Sequence, residues 1–364
     1  MGIIKTTRAF EKWLGRQTPL IDADVNHKHE AMSEAAFPFL RATFYRWMEL
    51  WPRVSPSLNK APSVLAVGDL HVDNFGTWRD AQGRLTWGIN DFDEAFPLPY
   101  TFDLVRLATS ALLEIRSEHL AISEEKACRA ILAGYRESLS AGGRPIVVDA
   151  AHRWLTPLIG LEARDPTRYW QKIDALPELD APPSAPAIQA LAALLPHPKL
   201  QVRYAHRIAG LGSLGKQRTV ALADWNGGHI ARECKPLTPS AAAWIAGKRN
   251  PKIYYGKILK TAIRSPDPLF IVHGNWIVRR LAPDCSRIAL ASLTRVRDDE
   301  HLLHAMGWET ANIHLGTPGA ADAIARDLKR RQRNWLGAGA EKMLAVTLKD
   351  WLRWKEGSVG VPAV

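Results

Sequence analysis

The chain has 364 residues, 46% of them hydrophobic, and its 48 basic and 37 acidic residues leave a formal charge of +11 at neutral pH. That apolar content excludes a disordered tail protein, and the length suits two or three compact units or one two-lobed enzyme. Three widely spaced cysteines, Cys128, Cys234 and Cys285, exclude a disulfide framework and a CxxC zinc pattern, so a reducing cytoplasm is the expected compartment.

The N-terminus, MGIIKTTRAFEKWLGRQ, spreads Lys and Arg where a signal peptide needs an apolar stretch, and no window reaches the roughly 18 apolar residues of a spanning helix. A soluble, unexported protein is expected. Leu40, Phe44, Met48 and Trp51 then recur at helical spacing behind Pro38, which predicts one core-facing helix before Pro52. Ser63 to Val67 reads as a short buried strand that stops at GDLHVDNFG. FGTWR and RLTWGIN flank the turn Asp80-Ala81-Gln82-Gly83 and predict a hairpin from Phe75 to Asn90. Helical patterns follow at Phe102–Ile115, Glu124–Leu139 and Ala150–Leu161, and residues 176–199, dense in Pro and Ala, read as a connection between lobes. From Val202 the text becomes strand-like, with a glycine loop in AGLGSLGK, a turn at Asn226-Gly227-Gly228 and a strand HIARECKPL. Helices are expected near Ala241 and Ile253, a strand at Asn275–Leu281, and helices again over Asp298–Leu315 and Ala320–Trp354.

Three oxygen-bearing residues, Asp69, Asn74 and Asp91, are delivered by one loop and by the far end of the hairpin that follows it. Phosphoryl transfer needs such a set: a base or orienter for the attacking hydroxyl, and hard oxygen ligands that hold Mg²⁺ against nucleotide phosphates. Turn formation alone would also account for Asp69, Asp73 and Asn74. Asp69 and Asn74 stand five apart, the interval of the catalytic Asp and Asn in protein kinases. The wording GDLH…N followed by INDFDEA is more similar still to the H-G-D-x-H-x-x-N and I-D-x-x-D-A of aminoglycoside and choline phosphotransferases in the protein-kinase-like superfamily. That resemblance implies Asp69 as the catalytic aspartate, Asn74 and Asp91 as Mg²⁺ ligands with Asp93 as a further candidate, and Asp103 as a buried acid bracing the catalytic loop. Val67 stands where the family has its first histidine, and Asp93 where kinases have the glycine of D-F-G.

Gly210, Gly212 and Gly215, with Ser213 between them, have the spacing of a phosphate-covering loop, and the strand-like text after them argues against a dinucleotide-binding fingerprint. The resemblance makes Lys235 the phosphate-neutralising lysine. No Glu lies between it and Glu300 to pair with it, which leaves Glu233, Asp267 or only phosphate as its counter-charge. The acidic loops precede the glycine loop, the reverse of an ordinary kinase. With the segment GWETANIH near residue 310, the whole arrangement resembles an uncharacterised bacterial protein-kinase-like family, domain of unknown function family 2252, read as circularly permuted.

The expectation is therefore an α+β, two-lobed, protein-kinase-like fold. Residues 1–195 would open a large helical lobe, 196–283 would form a small β-containing nucleotide-binding lobe, and 284–364 would complete the large one. ATP and Mg²⁺ are the expected cofactors, and a hydroxyl, of a small molecule before a protein, is the expected acceptor. A metal-dependent phosphohydrolase using Asp69, His71 and Asp93, and a non-catalytic nucleotide binder, stand as alternatives. The basic run Arg326, Lys329, Arg330, Arg331 and Arg333 reads as a solvated helix face, so nucleic acid is not favoured as a partner.

Overall fold

The structure, a computed structural model, describes residues 2–158, 165–285 and 298–357. Leu40, Phe44, Met48 and Trp51 are all buried, as their spacing predicts, but two helices carry them, Ala36–Ala42 and Phe44–Val54. Thr43 makes the break. Its backbone leaves helical angles (φ −120°, ψ 37°) and its hydroxyl donates to the Phe39 carbonyl at 2.7 Å. Pro52, expected to end the helix, is taken into its last turn.

Strand β1 (Ser63–Ala66) pairs antiparallel with β4 (Phe96–Pro99), with Ala66 opposite Phe96. Two prolines in four residues hid β4 from a propensity reading. Between them stands the predicted hairpin, β2 (Phe75–Arg79) and β3 (Leu85–Ile89), extended by the short β5 (Ile146–Val147). Asp80 closes its turn by accepting from the backbone N–H groups of Gln82 and Arg84, each at 3.0 Å. The chain thus leaves β1, runs out and back along the hairpin, and returns through β4, which sets the loop after β1 beside the one that starts at Asp91.

A helical body packs around these strands. Tyr100–Arg116 is buried along nearly its whole length, and Glu124–Ala141 crosses Asp299–His314 at two glycines. A Cβ on Gly134 would lie 1.9 Å from the His304 carbonyl, and one on Gly307 would lie 1.9 Å from that of Ile131, so only glycine permits the approach. The helix expected over Ala320–Trp354 is two, Ala320–Arg330 and Trp335–Gly357. Over Ala150–Leu161 the chain forms a helical turn, Val148–Ala151, and a 3₁₀ segment, Arg153–Leu158, with residues 159–161 outside the described ones. The first and last helices, Ile3–Leu14 and Trp335–Gly357, lie together, and a Cβ on Gly357 would touch the Ile4 side chain at 3.4 Å.

The second sheet has five antiparallel strands, β6 (Arg203–His206), β7 (Thr219–Trp225), β8 (Gly228–Pro236), β9 (Phe270–His273) and β10 (Trp276–Leu281), in the order β6-β7-β8-β10-β9. Its period-two alternation is read by two helices. Tyr169 and Ile173 of helix Pro166–Asp174 cover Ala205, Val220, Leu222, Ala231 and Leu281 on one face. Ala187, Ala190 and Leu191 of helix Ala185–Ala192 cover Ala221, Cys234 and Val278 on the other. Residues 176–199, expected as a connection, therefore carry a helix of this sheet. Glu233 and Lys235 share the Ala231 face of β8. The fold is mixed helix and strand with small antiparallel sheets, and no helix among the described residues is long and apolar enough to cross a membrane.

Candidate functional site

The loop after β1 is braced from below. Val67 and Gly68 donate their backbone N–H groups to the two oxygens of Asp103, at 2.7 and 2.9 Å. Asp103 sits in the first turn of Tyr100–Arg116 and is fully buried. His314 Nε2 meets it at 3.0 Å, and the other nitrogen of that ring contacts the Tyr135 hydroxyl at 2.8 Å. Asp103 thus has a bracing position and does not face the cleft. Gly68 adopts φ +87°, and a Cβ there would lie 2.3 Å from the Glu94 carbonyl, so the turn into Asp69 requires glycine twice over.

Asp69 is held on one oxygen. Arg106, one turn beyond Asp103 on the same helix, donates to Asp69 Oδ1 through Nε at 2.8 Å and through Nη2. The guanidinium is itself fixed by the Leu40 carbonyl at 2.9 Å and by the faces of Phe44 and Trp47. Oδ2 is turned toward the glycine loop, where a Cβ on Gly212 would lie 3.2 Å from it and 3.0 Å from the Arg41 carbonyl. Burial pushes the Asp69 carboxyl up, while Arg106 pulls it down and does not cancel the rise. Asn74 donates its amide hydrogens to the carbonyls of Asp69 and Asp91, both at 3.2 Å, which leaves its amide oxygen to accept a donor or a cation.

Lys235 arrives from β8. Its ammonium lies 2.8 Å from Asp93 Oδ1 and 3.3 Å from Asp91 Oδ1, and this pair, rather than Glu233 or Asp267, is its counter-charge. Burial pushes the Lys235 pKa down, against Asp91 and Asp93, which pull it up. Glu233 serves a different cluster: it accepts from Arg218 at 2.5 Å, Arg207 at 2.6 Å and Arg279 Nε at 2.9 Å. Burial would raise its carboxyl, but the three guanidiniums hold it well below the usual range. Asp267 accepts from the Leu269 backbone at 2.8 Å.

Both oxygens of Asp93 are sealed from solvent and lack a hydrogen bond, the 2.8 Å contact to Lys235 lying outside hydrogen-bond geometry. Asp91, Asp93 and the Asn74 amide oxygen make a donor set of two carboxylates and one carbonyl. This fits a Mg²⁺ ion that takes the rest of its shell from phosphates and water. Among the described residues no three His, Cys, Asp or Glu side chains converge as a metal cage, so the trio Asp69, His71 and Asp93 is not assembled as one.

The glycine loop closes the site. Gly210 turns at φ +74°, Leu211–Ser213 form a 3₁₀ turn, and the Ser213 hydroxyl donates to the Gly210 carbonyl at 3.0 Å while accepting from Arg218 at 3.0 Å. Asp69, Asn74, Asp91, Asp93, Gly210, Gly212 and Ser213 all line one cleft of about 50 Å³. Gly215 and Lys235 stand behind its wall, Gly215 packed on Val25 and Lys235 against the two carboxylates. Such a volume admits a few water molecules and is well below the roughly 300 Å³ or more of a small-molecule pocket, so the cleft is closed in this conformation.

Residues 20–165 match DUF2252, a family model described as an uncharacterized protein conserved in bacteria. No curated protein and no solved structure matches the chain. The stretch that matches DUF2252 contains Asp69, Asn74, Asp91, Asp93, Asp103 and Arg106, while the glycine loop, Lys216 and Lys235 lie beyond it. Lys216, Arg41 and Glu94 also line the cleft and were not singled out from the sequence. Lys216 had a signal, since it directly follows the last glycine of the motif. Glu94 had none: its carboxylate accepts from the Ser240 hydroxyl and the Ala241 N–H, each at 2.7 Å, and burial pushes it up to about 7.

Proposed function

We propose that the protein is an ATP-dependent, Mg²⁺-assisted phosphotransferase acting on a hydroxyl, of a small molecule before a protein, on a two-lobed, circularly permuted kinase-like fold. The observation that carries the reading is the approach of Gly212 to Asp69 Oδ2, in one cleft with Asn74, Asp91 and Asp93. Two stretches some 140 residues apart, one rich in hard oxygens and one a loop of backbone amides, meet there. The first and last described helices adjoin at Ile4 and Gly357, an arrangement a permutation would need.

The chain's own groups divide the work. Arg106 fixes Asp69 by one oxygen, so the other points at the cleft, and burial leaves it a better base than a free carboxylate. Asp69 orients the acceptor hydroxyl and takes its proton as the new O–P bond forms and the bond to the leaving diphosphate breaks. Asn74, Asp91 and Asp93 would hold Mg²⁺, which supplies positive charge to the phosphoryl oxygens. Lys235 keeps the two carboxylates together, and the glycine loop at Gly212 is the backbone that faces the free oxygen of Asp69. The closed volume requires the glycine loop to lift before nucleotide enters.

Thermal melting with ATP, ADP and GTP, each with and without Mg²⁺, tests the reading. ATP with Mg²⁺ should raise the melting temperature of the wild type by several degrees. Asp91→Asn should melt as the wild type does without ligand and lose the Mg²⁺-dependent part of the shift. Indifference to every nucleotide would overturn the proposal. The closure of Gly212 over Asp69 favours one second reading, nucleotide binding without turnover, which ATP stabilisation with no release of ADP would select.

A further inference from the structure

Helix Asp22–Glu34 has no role in the reading above, yet it is fastened to the glycine loop. Ile21 donates its N–H to the Gly215 carbonyl at 2.8 Å, Leu20 and Lys216 form a β-bridge, and Asp24 meets His206 Nε2 at 3.1 Å. One turn after Asp24, on the same face, comes Lys28. Its side chain is only 2% exposed, and among the described residues it has neither a hydrogen bond nor an ion pair. Its Nζ lies 5.7 Å from the centroid of the Tyr45 ring, and Tyr45, with Phe10, Leu14 and Phe44, forms the apolar wall of the cleft that holds Asp69. Lys216, on the same cleft, has its nearest acid oxygen, Asp93 Oδ2, at 3.7 Å. Arg41 lines the cleft too, with a sealed Nε that makes no hydrogen bond.

Burying an ammonium without a counter-ion costs several kcal/mol, and a hydrophobic side chain of similar volume would fill the position better. The unmet charge therefore points to a ligand. Burial pushes the Lys28 pKa down; Glu11 pulls it up, Lys216 pushes it down, and Glu94 and Asp69 pull it up to a lesser degree. Nucleotide phosphates already have the loop amides and the metal, while Lys235 is taken up by Asp91 and Asp93. Lys28, not itself a lining residue, instead stands over the ring of Tyr45, part of the aromatic wall where the body of an acceptor would lie.

We propose that Lys28 and Lys216 bind an oxyanion, a phosphate or carboxylate, carried by the acceptor whose hydroxyl meets Asp69. The inference rests on the phosphotransferase reading for the word acceptor, and it narrows the substrate class to small anionic hydroxyl compounds with a ring or short apolar body.

Inorganic phosphate is the probe, titrated calorimetrically without nucleotide or metal into the wild type, Lys28→Met, Lys28→Arg and Lys260→Met. Phosphate should bind the wild type at millimolar concentration, lose about tenfold or more in affinity in Lys28→Met, and recover in part in Lys28→Arg. Lys260→Met, an exposed lysine on helix Tyr255–Thr261 outside the cleft, should bind it as the wild type does. Without phosphate, Lys28→Met should melt at or above the wild-type temperature, because an unmet charge has been removed. Equal binding by Lys28→Met, or none by the wild type, would overturn the site. A parallel arm with Mg²⁺ and ATP separates the sources. An ATP shift kept in Lys28→Met supports the acceptor, whereas one lost with the phosphate response reassigns the oxyanion to nucleotide and overturns the acceptor claim. Phosphate binding that needs Lys28, in a protein indifferent to Mg²⁺ and ATP, would overturn the phosphotransferase reading and leave the oxyanion site standing.

Discussion

Gly68 is a residue whose identity the backbone dictates. It combines a left-handed φ of +87° with a neighbouring carbonyl 2.3 Å from any Cβ, so Gly68→Ala should destabilise the protein by about 3 kcal/mol or more in denaturant titrations. A loss under about 1 kcal/mol would mean that the loop and Glu94 can part cheaply. Asp69, Asn74 and Asp91 were legible because the turn and the hairpin bring them together through local sequence. Arg106 was not, although it stands only three residues after Asp103, because its value depends on a loop far away in the chain. Lys235 shows the opposite case. Its residue type and strand could be read, but its pairing with Asp91 and Asp93 is a tertiary event, and the nearest acid in sequence, Glu233, is drawn away by three arginines that no spacing rule connects.

Elements were legible where a single period or turn decided them. The hairpin followed from Asp80 and Gly83, and the helix at Tyr100 from its apolar spacing. The break at Thr43, the proline-bearing β4 and the helix in residues 176–199 were set by packing against partners instead. The helix Asp299–His314 carries a further consequence of such packing. Its Glu309 is 1% exposed, donates nothing as a carboxylate, and accepts from Asn312 Nδ2 at 2.8 Å and from the Ile89 N–H at 3.4 Å at the base of the hairpin. Burial pushes it from 4.5 to about 7. The folded state thus retains a proton that the unfolded chain releases, so this contribution to stability is full below pH 4.5 and is lost as pH rises through 7. Glu309→Gln should remove that slope, on the order of 3 kcal/mol across the interval. Denaturant midpoints of both proteins at pH 5 and 7.5 measure it, and parallel pH profiles would refute the assignment.

The molecule as a whole is held together across great distances in sequence. Arg46 Nε donates to Asp350 at 2.6 Å, 304 residues away, and Trp354 is buried against helix Asp22–Glu34 through its contact with Ser33. Both ties end on the last helix, Trp335–Gly357, whose Gly357 approaches Ile4 of the first. Splicing residue 357 to residue 3 through a few glycines and reopening the polypeptide in the exposed stretch 196–199 would make a chain that begins with the five-stranded sheet. Of the described contacts it would lose only local ones, such as those of His197 with Lys199 and Leu200 at the cut and of Thr6 with Gly2 at the splice, so its melting temperature should stay within a few degrees of the original. Its refolding rate should nevertheless change, since the Arg46–Asp350 tie would close over a short span while helices Pro166–Asp174 and Ala185–Ala192 would stand at the far end of the chain from the sheet they cover, and folding rates follow the mean separation of touching residues. Stopped-flow refolding of the two forms would then show that where a polypeptide starts governs how quickly it finds its shape while leaving the shape itself alone.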